Sequence, residues 1–121
     1  MKLILYIGVL VLALTACKKD TALPFNIDAD CESLAVSYQD DIVPLIQQSC
    51  ATNQGPGTGC HDAWIFEYDN VLLKVNDGTI QNRVIGLKDM PPEVNSFSIA
   101  PLTQDEINLF GCWIIDGAQN N

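Results

Sequence analysis

The sequence has a single histidine, two methionines and only six basic residues against fifteen acidic ones, which gives a formal net charge of −9. So few Lys and Arg side chains argue against a nucleic-acid-binding protein, because phosphate contacts need cationic groups. One histidine among five cysteines offers too few dependable ligands for a structural zinc site. With 121 residues, the chain holds one small domain, which excludes a multidomain enzyme or a repeat array.

No apolar run reaches the length of about 20 residues that a membrane-spanning helix needs. The longest run, residues 3–14, follows Lys2 and leads into Leu14-Thr15-Ala16-Cys17, which is typical of an export signal with small residues at the cleavage site. The same four residues resemble a bacterial lipobox, whose cysteine is lipidated and becomes the first residue of the mature protein. An ordinary secretory signal that happens to be cleaved near a cysteine is the alternative.

The lipobox interpretation divides the chain into a signal peptide (1–16), a lipid-anchored tether (17–30) and a domain (31–121). Cleavage removes one basic and no acidic residue, so the mature net charge is −10. A lipid on Cys17 anchors a protein to a membrane without spanning it. We therefore expect a cell-envelope protein, at the outer membrane by analogy with sorting rules, since Lys18 follows Cys17. The acidic surface should attract a basic protein partner.

The domain shows helical signals and few strand signals, which predicts a mostly α fold of three to four short helices with long loops. The first helix should start at Asp41 or Ile42, with Asp41 as its cap, and end near Ser49, because Pro44 is tolerated only in a first turn. A Gly/Pro loop (51–59) follows, and later come a short helix (69–75) and a loop (86–92). In the last helix, Thr103 and Glu106 form a capping box, and the helix should end at Gly117. Its apolar face comprises Ile107, Phe110 and Ile114.

The residue pair with the clearest chemistry is Cys60-His61. Cys-x-x-Cys-His is the attachment signature of c-type haem, and here Cys50 precedes Cys60 by nine intervening residues. Met90, which lies before Pro91-Pro92, could supply a thioether to iron from a loop stiffened by proline.

These residues, in this order, resemble a small bacterial class I c-type cytochrome domain. The match comprises 41–45 leading into Cys50, then Cys60-His61, then 90–92, and finally the C-terminal helix. It covers roughly residues 38–118. The resemblance implies haem c as cofactor, thioether bonds from Cys50 and Cys60, and axial ligation of the iron by His61 and Met90. It also implies a fold in which the N- and C-terminal helices pack together above the haem.

The nine-residue spacer departs from the family's two-residue spacer, although closing the longer loop costs only about 1.3 kcal/mol more. Attachment through Cys60 alone is a further possibility. A disulfide between Cys50 and Cys60 is the competing interpretation, in which His61 lies on the surface and Met90 fills the core.

Four cysteines besides Cys17 allow three pairings. If haem takes Cys50 and Cys60, only a Cys31–Cys112 disulfide remains, with two reduced thiols as the alternative. Arg83 could bind a haem propionate or simply face the solvent. Candidates for the haem wall, which are equally plausible as core, are Trp64, Phe66, Leu72, Leu73, Val84, Ile85 and Leu87.

The sequence thus predicts a lipid-anchored monohaem cytochrome that carries single electrons between protein partners of the envelope and is not an enzyme. Two other functions stay open. One is a haem-free, disulfide-stapled binding domain that uses the 51–59 loop. The other is an enzyme with five-coordinate iron, in which Met90 is not bound.

Overall fold

A computed structural model describes residues 25–51, 61 and 63–121, and these contain helices but no β-strand. Helix α1 (residues 38–50) is continuous and comprises Tyr38–Ile42, Val43–Leu45 and Ile46–Cys50. A 3₁₀ turn, Ala63–Phe66, precedes helix α2, Tyr68–Asn76. Helix α3 covers Gln81–Gly86 and helix α4 covers Gln104–Ile115. The predicted mostly α fold with four short helices is confirmed.

Helix α1 begins earlier than predicted. The Ser37 hydroxyl caps it by accepting a hydrogen bond from the Asp40 N–H at 3.2 Å, and the Asp41 carboxylate accepts one from the Ser37 N–H at 2.8 Å. Asp41 therefore supports the cap from inside the first turn. Both ends of α1 are π-helical, so that a backbone N–H bonds the carbonyl five residues earlier. An example is the bond from Ala51 N–H to Ile46 O at 2.7 Å. Pro44 lies at the start of the short α-wound part, where its missing N–H is tolerated.

The predicted helix over 69–75 is present as α2, and Gly78 follows it with a positive φ of 79°. Sequence analysis did not predict α3, whose last residue, Gly86, was assigned to a loop. Helix α3 is a six-residue π-helix. A sequence with π-helical spacing lacks the 3.6-residue period by which α-helices are identified.

Helix α4 has the predicted capping box, because the Thr103 hydroxyl accepts from the Glu106 N–H and the Glu106 carboxylate accepts from the Thr103 N–H. Its apolar side chains form the centre of the core. Trp113 stacks on Tyr38 with ring centroids 5.3 Å apart, and Tyr38 meets the edge of Tyr68 at 5.0 Å. We call Tyr38, Tyr68 and Trp113 the aromatic cluster.

The predicted disulfide between Cys31 and Cys112 is present and fastens the N-terminal segment to α4, with Cα atoms 5.1 Å apart. Phe25 and Ile27 also pack against the core. Ile27 lies so close to Gly111 that a Cβ there would overlap its Cδ1. Residues of the predicted tether, from Phe25 onward, therefore pack against the core. They do so because apolar side chains interrupt that polar stretch.

The predicted signal peptide and the lipidation site Cys17 lie outside the described residues. Within the described part of the chain, none of the helices is long and apolar enough to cross a membrane.

Candidate functional site

A cavity of about 250 Å³ opens between the C-terminal end of α1, the segment around the 3₁₀ turn, and helices α2, α3 and α4. Its lining is mostly apolar. The residues that line it are Ile46, Cys50, His61, Trp64, Ile65, Val71, Lys74, Thr79, Ile80, Arg83, Val84, Met90 and Phe110.

Three of the four residues predicted to hold a haem lie on this one cavity, namely Cys50, His61 and Met90. They come from the last residue of α1, from the segment before the 3₁₀ turn and from the loop after α3. Cys60, the chain neighbour of His61, lies outside the described residues. The fold therefore brings a cysteine, a histidine and a methionine from three segments of the chain to one cavity.

Each of the three side chains has a distinct support. Cys50 ends α1, where the Ala51 N–H closes the last turn on Ile46. The His61 ring meets the Trp64 ring edge-on, with centroids 5.5 Å apart and planes at 80°. Met90 is half-buried and is followed by the buried Pro91 across a cis peptide bond.

The wall only partly matches the seven candidates from sequence. Trp64 and Val84 line the cavity, Ile85 is buried in the core and Leu72 packs against it. The other three candidates, Phe66, Leu73 and Leu87, are exposed. For Val84, Ile85 and Leu87 the direction depends on α3, which the sequence did not reveal.

Sequence analysis also missed wall residues, including Ile46, Ile80 and Phe110. The helical period predicts Ile46 and Phe110 to be buried but does not distinguish a cavity wall from ordinary core. No feature of the sequence predicts that Ile80 lines the cavity.

Two ion pairs involve side chains on the cavity. The Lys74 ammonium bonds the Asp77 carboxylate at 3.0 Å, and the Arg83 Nε bonds the Asp89 Oδ1 at 2.8 Å. Hydrogen bonds from Thr79, aided by Lys74, lower the pKa of Asp77 to about 2. Arg83 was predicted either to bind a haem propionate or to face the solvent. In the structure it bonds the carboxylate of Asp89.

A larger and more open hollow of about 750 Å³ lies elsewhere, between α1 and the loop before α4. Its lining includes Gln47, Gln48, Phe97 and Glu106 but none of the predicted cofactor residues. We place the candidate site in the smaller cavity because only that one carries soft metal donors.

The donor set of the cavity comprises one imidazole and one thioether beside Cys50. The described residues contain no group of three or more His, Cys, Asp or Glu side chains that could hold a metal. A single imidazole and a single thioether on one apolar cavity are the pair that serves as axial ligands in cytochromes c. The cavity therefore carries side chains of the two kinds that a haem iron could bind.

The fold by itself defines only a small, mostly α domain that contains the Cys31–Cys112 disulfide. No protein-family model matches the chain, and no curated protein or solved structure resembles it at a significant level.

Proposed function

We propose that this protein is a monohaem c-type cytochrome that transfers single electrons in the bacterial cell envelope. The observation that supports the proposal is the convergence of Cys50, His61 and Met90 on one apolar cavity. The sequence pattern selected these residues without knowledge of their positions in space, and a chance set of three would have no reason to share a cavity.

The residues have separate roles. His61 Nε2 or Nδ1 and Met90 Sδ would occupy the two axial positions, while the sulfurs of Cys50 and Cys60 would form thioethers to the porphyrin. A haem bound in this way supplies a one-electron iron couple. The Met90 thioether favours the reduced iron and raises its potential. With two axial ligands from the protein, no position is left for a substrate, so the role is that of a carrier.

The cavity walls would set the environment of the iron. Trp64, Ile65, Val84 and Phe110 offer an apolar surface that would lower the local dielectric constant. At about 250 Å³ the cavity is smaller than most ligand pockets, which measure roughly 300–1,000 Å³. This cavity would therefore enclose a haem only in part, and an exposed haem edge could pass an electron to a partner.

The proposed setting follows from the sequence. A lipid on Cys17 would hold the protein at a membrane of the envelope, most simply the outer membrane. Two of the described cations, Lys74 and Arg83, are already neutralised by carboxylates. The remaining acidic surface would attract a redox protein with a basic docking patch.

Absorption spectra of the oxidised and dithionite-reduced protein test the proposal, together with haem staining after denaturing electrophoresis. The protein should come from a host with active cytochrome maturation that is shown to process this spacer. We expect a sharp reduced band and a stain that survives denaturation. Replacing Met90 by Ala should keep the stain but lower the potential and admit carbon monoxide.

Separate Cys50→Ser and Cys60→Ser variants distinguish one thioether from two, because each lost thioether shifts the reduced band. Leu73→Ala is a suitable control, since Leu73 is 61% exposed and not part of the cavity lining. A colourless protein with a disulfide between Cys50 and Cys60 would contradict the proposal. That result would favour the haem-free binding domain, whereas carbon monoxide binding without displacement of Met90 would favour an enzyme with five-coordinate iron.

A further inference from the structure

The segment between α3 and Met90 is attached to α3 through Arg83 and Asp89. Asp89 makes two bonds to Arg83: its Oδ1 accepts from Arg83 Nε at 2.8 Å, and its N–H donates to Arg83 O at 3.0 Å. Both the side chain and the backbone of Asp89 are thus attached to the same residue of α3. Asp89 is the residue immediately before Met90.

The backbone bond closes an unusual helix end. Helices often finish with a residue in the left-handed conformation and a hydrogen bond from the next N–H back to a carbonyl five residues earlier. Here Lys88 has a φ of +54°, and the bond from Asp89 reaches back six residues. The extra residue follows from the wide winding of α3, in which the Leu87 N–H likewise bonds the carbonyl of Asn82, five residues earlier.

The turn at Lys88 needs stabilising hydrogen bonds. A left-handed residue other than glycine costs roughly 1–2 kcal/mol, and Lys88 is that residue. The Arg83–Asp89 bonds close the turn, and the Lys88 ammonium donates to Gln104 of α4 at 2.7 Å. On the other side of Met90, Pro91 is buried. Met90 therefore lies between two fixed neighbours.

We infer that Arg83 and Asp89 are positioning residues that hold the Met90 thioether in the cavity, an inference that rests on the proposed function for its iron-binding consequence. The two side chains are 41% and 43% exposed, so their charge attraction alone is worth little. Their contribution is to fix the conformation of the loop that carries Met90. With the pair intact, the Met90 loop keeps one conformation, and without it the loop samples others in which the sulfur leaves the iron.

The test uses the matured protein and two variants of Asp89. Asp89→Ala removes the side-chain acceptor, whereas Asp89→Asn keeps an oxygen for Arg83 Nε, and both variants retain the backbone N–H. We expect Asp89→Ala to raise the affinity of the reduced protein for carbon monoxide about fivefold, the ratio that corresponds to about 1 kcal/mol. The absorption band of the methionine–iron bond should weaken in parallel. Asp89→Asn should stay within about twofold of the wild type.

Glu93→Ala is the matched control, because it removes one negative charge from an exposed residue three positions after Met90. If it changes carbon monoxide affinity as much as Asp89→Ala does, net charge and not positioning is responsible, and the inference is wrong. Equal behaviour of Asp89→Ala and the wild type would also overturn it.

A second readout does not require haem. Met1 and Met90 are the only methionines of the chain, so a ¹³C-methyl label gives a spectrum that reports almost directly on Met90. We expect its resonance to differ from that of an unfolded chain and to move toward that value in Asp89→Ala. A wild-type resonance already at the unfolded position would refute the inference. Absence of covalent haem alone would refute only the proposed function.

Discussion

Two regions that are packed to different degrees meet on helix α4. Trp113 belongs to the aromatic cluster, in which Tyr38 and Trp113 are almost fully buried and Tyr68 is partly exposed. Phe110, one turn earlier, borders the cavity with Cys50, His61 and Met90. Large aromatic side chains pack the first region, whereas the second combines apolar walls with soft donors and retains space. Because residues three apart share a helix face, the aromatic cluster and the candidate site lie one turn apart on the same side of α4.

The largest expected effect on stability comes from removing the disulfide of Cys112, the residue that precedes Trp113 of the aromatic cluster. The Cys31–Cys112 bond closes a loop with a sequence separation of 81, so the loop-entropy relation gives about 4.5 kcal/mol of stabilisation. We expect a Cys31→Ala, Cys112→Ala double variant to lose about this much unfolding free energy in urea. The absorption spectrum of any folded variant should be unchanged, since neither cysteine lines the cavity. A changed spectrum would show that the two regions are coupled.

The two tryptophans give a direct contrast. Trp113 is 1% exposed and donates a hydrogen bond to Gln119 O at 2.9 Å, so Trp113→Ala should cost about 4 kcal/mol. Trp64 borders the cavity and is only partly buried, so Trp64→Ala should cost about 1–2 kcal/mol. Urea unfolding measures both. Similar losses would contradict the difference in packing between the regions.

The contact of the N-terminal segment with α4 has an intermediate expected effect. Because a Cβ on Gly111 would overlap Ile27, Gly111→Ala should destabilise the domain by about 2 kcal/mol. Adding Ile27→Ala should recover part of that loss, which a double-mutant cycle measures as a coupling energy. Additive losses would mean that Ile27 does not pack on α4 in solution.

The smallest effect concerns the hydroxyls of the aromatic cluster. Among the described residues, Tyr38 Oη is buried without a hydrogen-bond partner, whereas Tyr68 Oη donates to Ala118 O at 2.7 Å. Tyr38→Phe should therefore be neutral or stabilising at pH 7, and Tyr68→Phe should cost about 1 kcal/mol. The opposite order would contradict the described contacts.

Alkaline pH adds a second measurement for Tyr38. Burial, with smaller effects from Tyr68 and Glu67, raises the pKa of Tyr38 above its ordinary value of 10.0. A raised pKa in the folded state means that the neutral hydroxyl is favoured by folding. Its contribution to stability is complete below pH 10 and is lost as the pH rises through the folded pKa. Urea unfolding at pH 9 and 11 should show a smaller decrease for Tyr38→Phe than for the wild type.

The helices that the sequence predicted have local signals. Thr103 and Glu106 identify the start of α4, and the apolar spacing behind them gives its buried face. The start of α1 was placed too late because Pro44 was assumed to lie in the first turn, whereas a wide first turn precedes it. Helix α3 was missed for the same reason, since wide winding erases the 3.6-residue period.

For the candidate site, the sequence alone determined the identity of the donors. The only histidine of the chain after Cys60, a preceding cysteine and a methionine before two prolines can be recognised without coordinates. Only the tertiary structure decided that Cys50, His61 and Met90 share a cavity, that Phe66 and Leu87 face the solvent, and that Arg83 bonds Asp89. The physical reason is that donor chemistry belongs to single residues, whereas a cavity and its supports depend on how distant segments pack together.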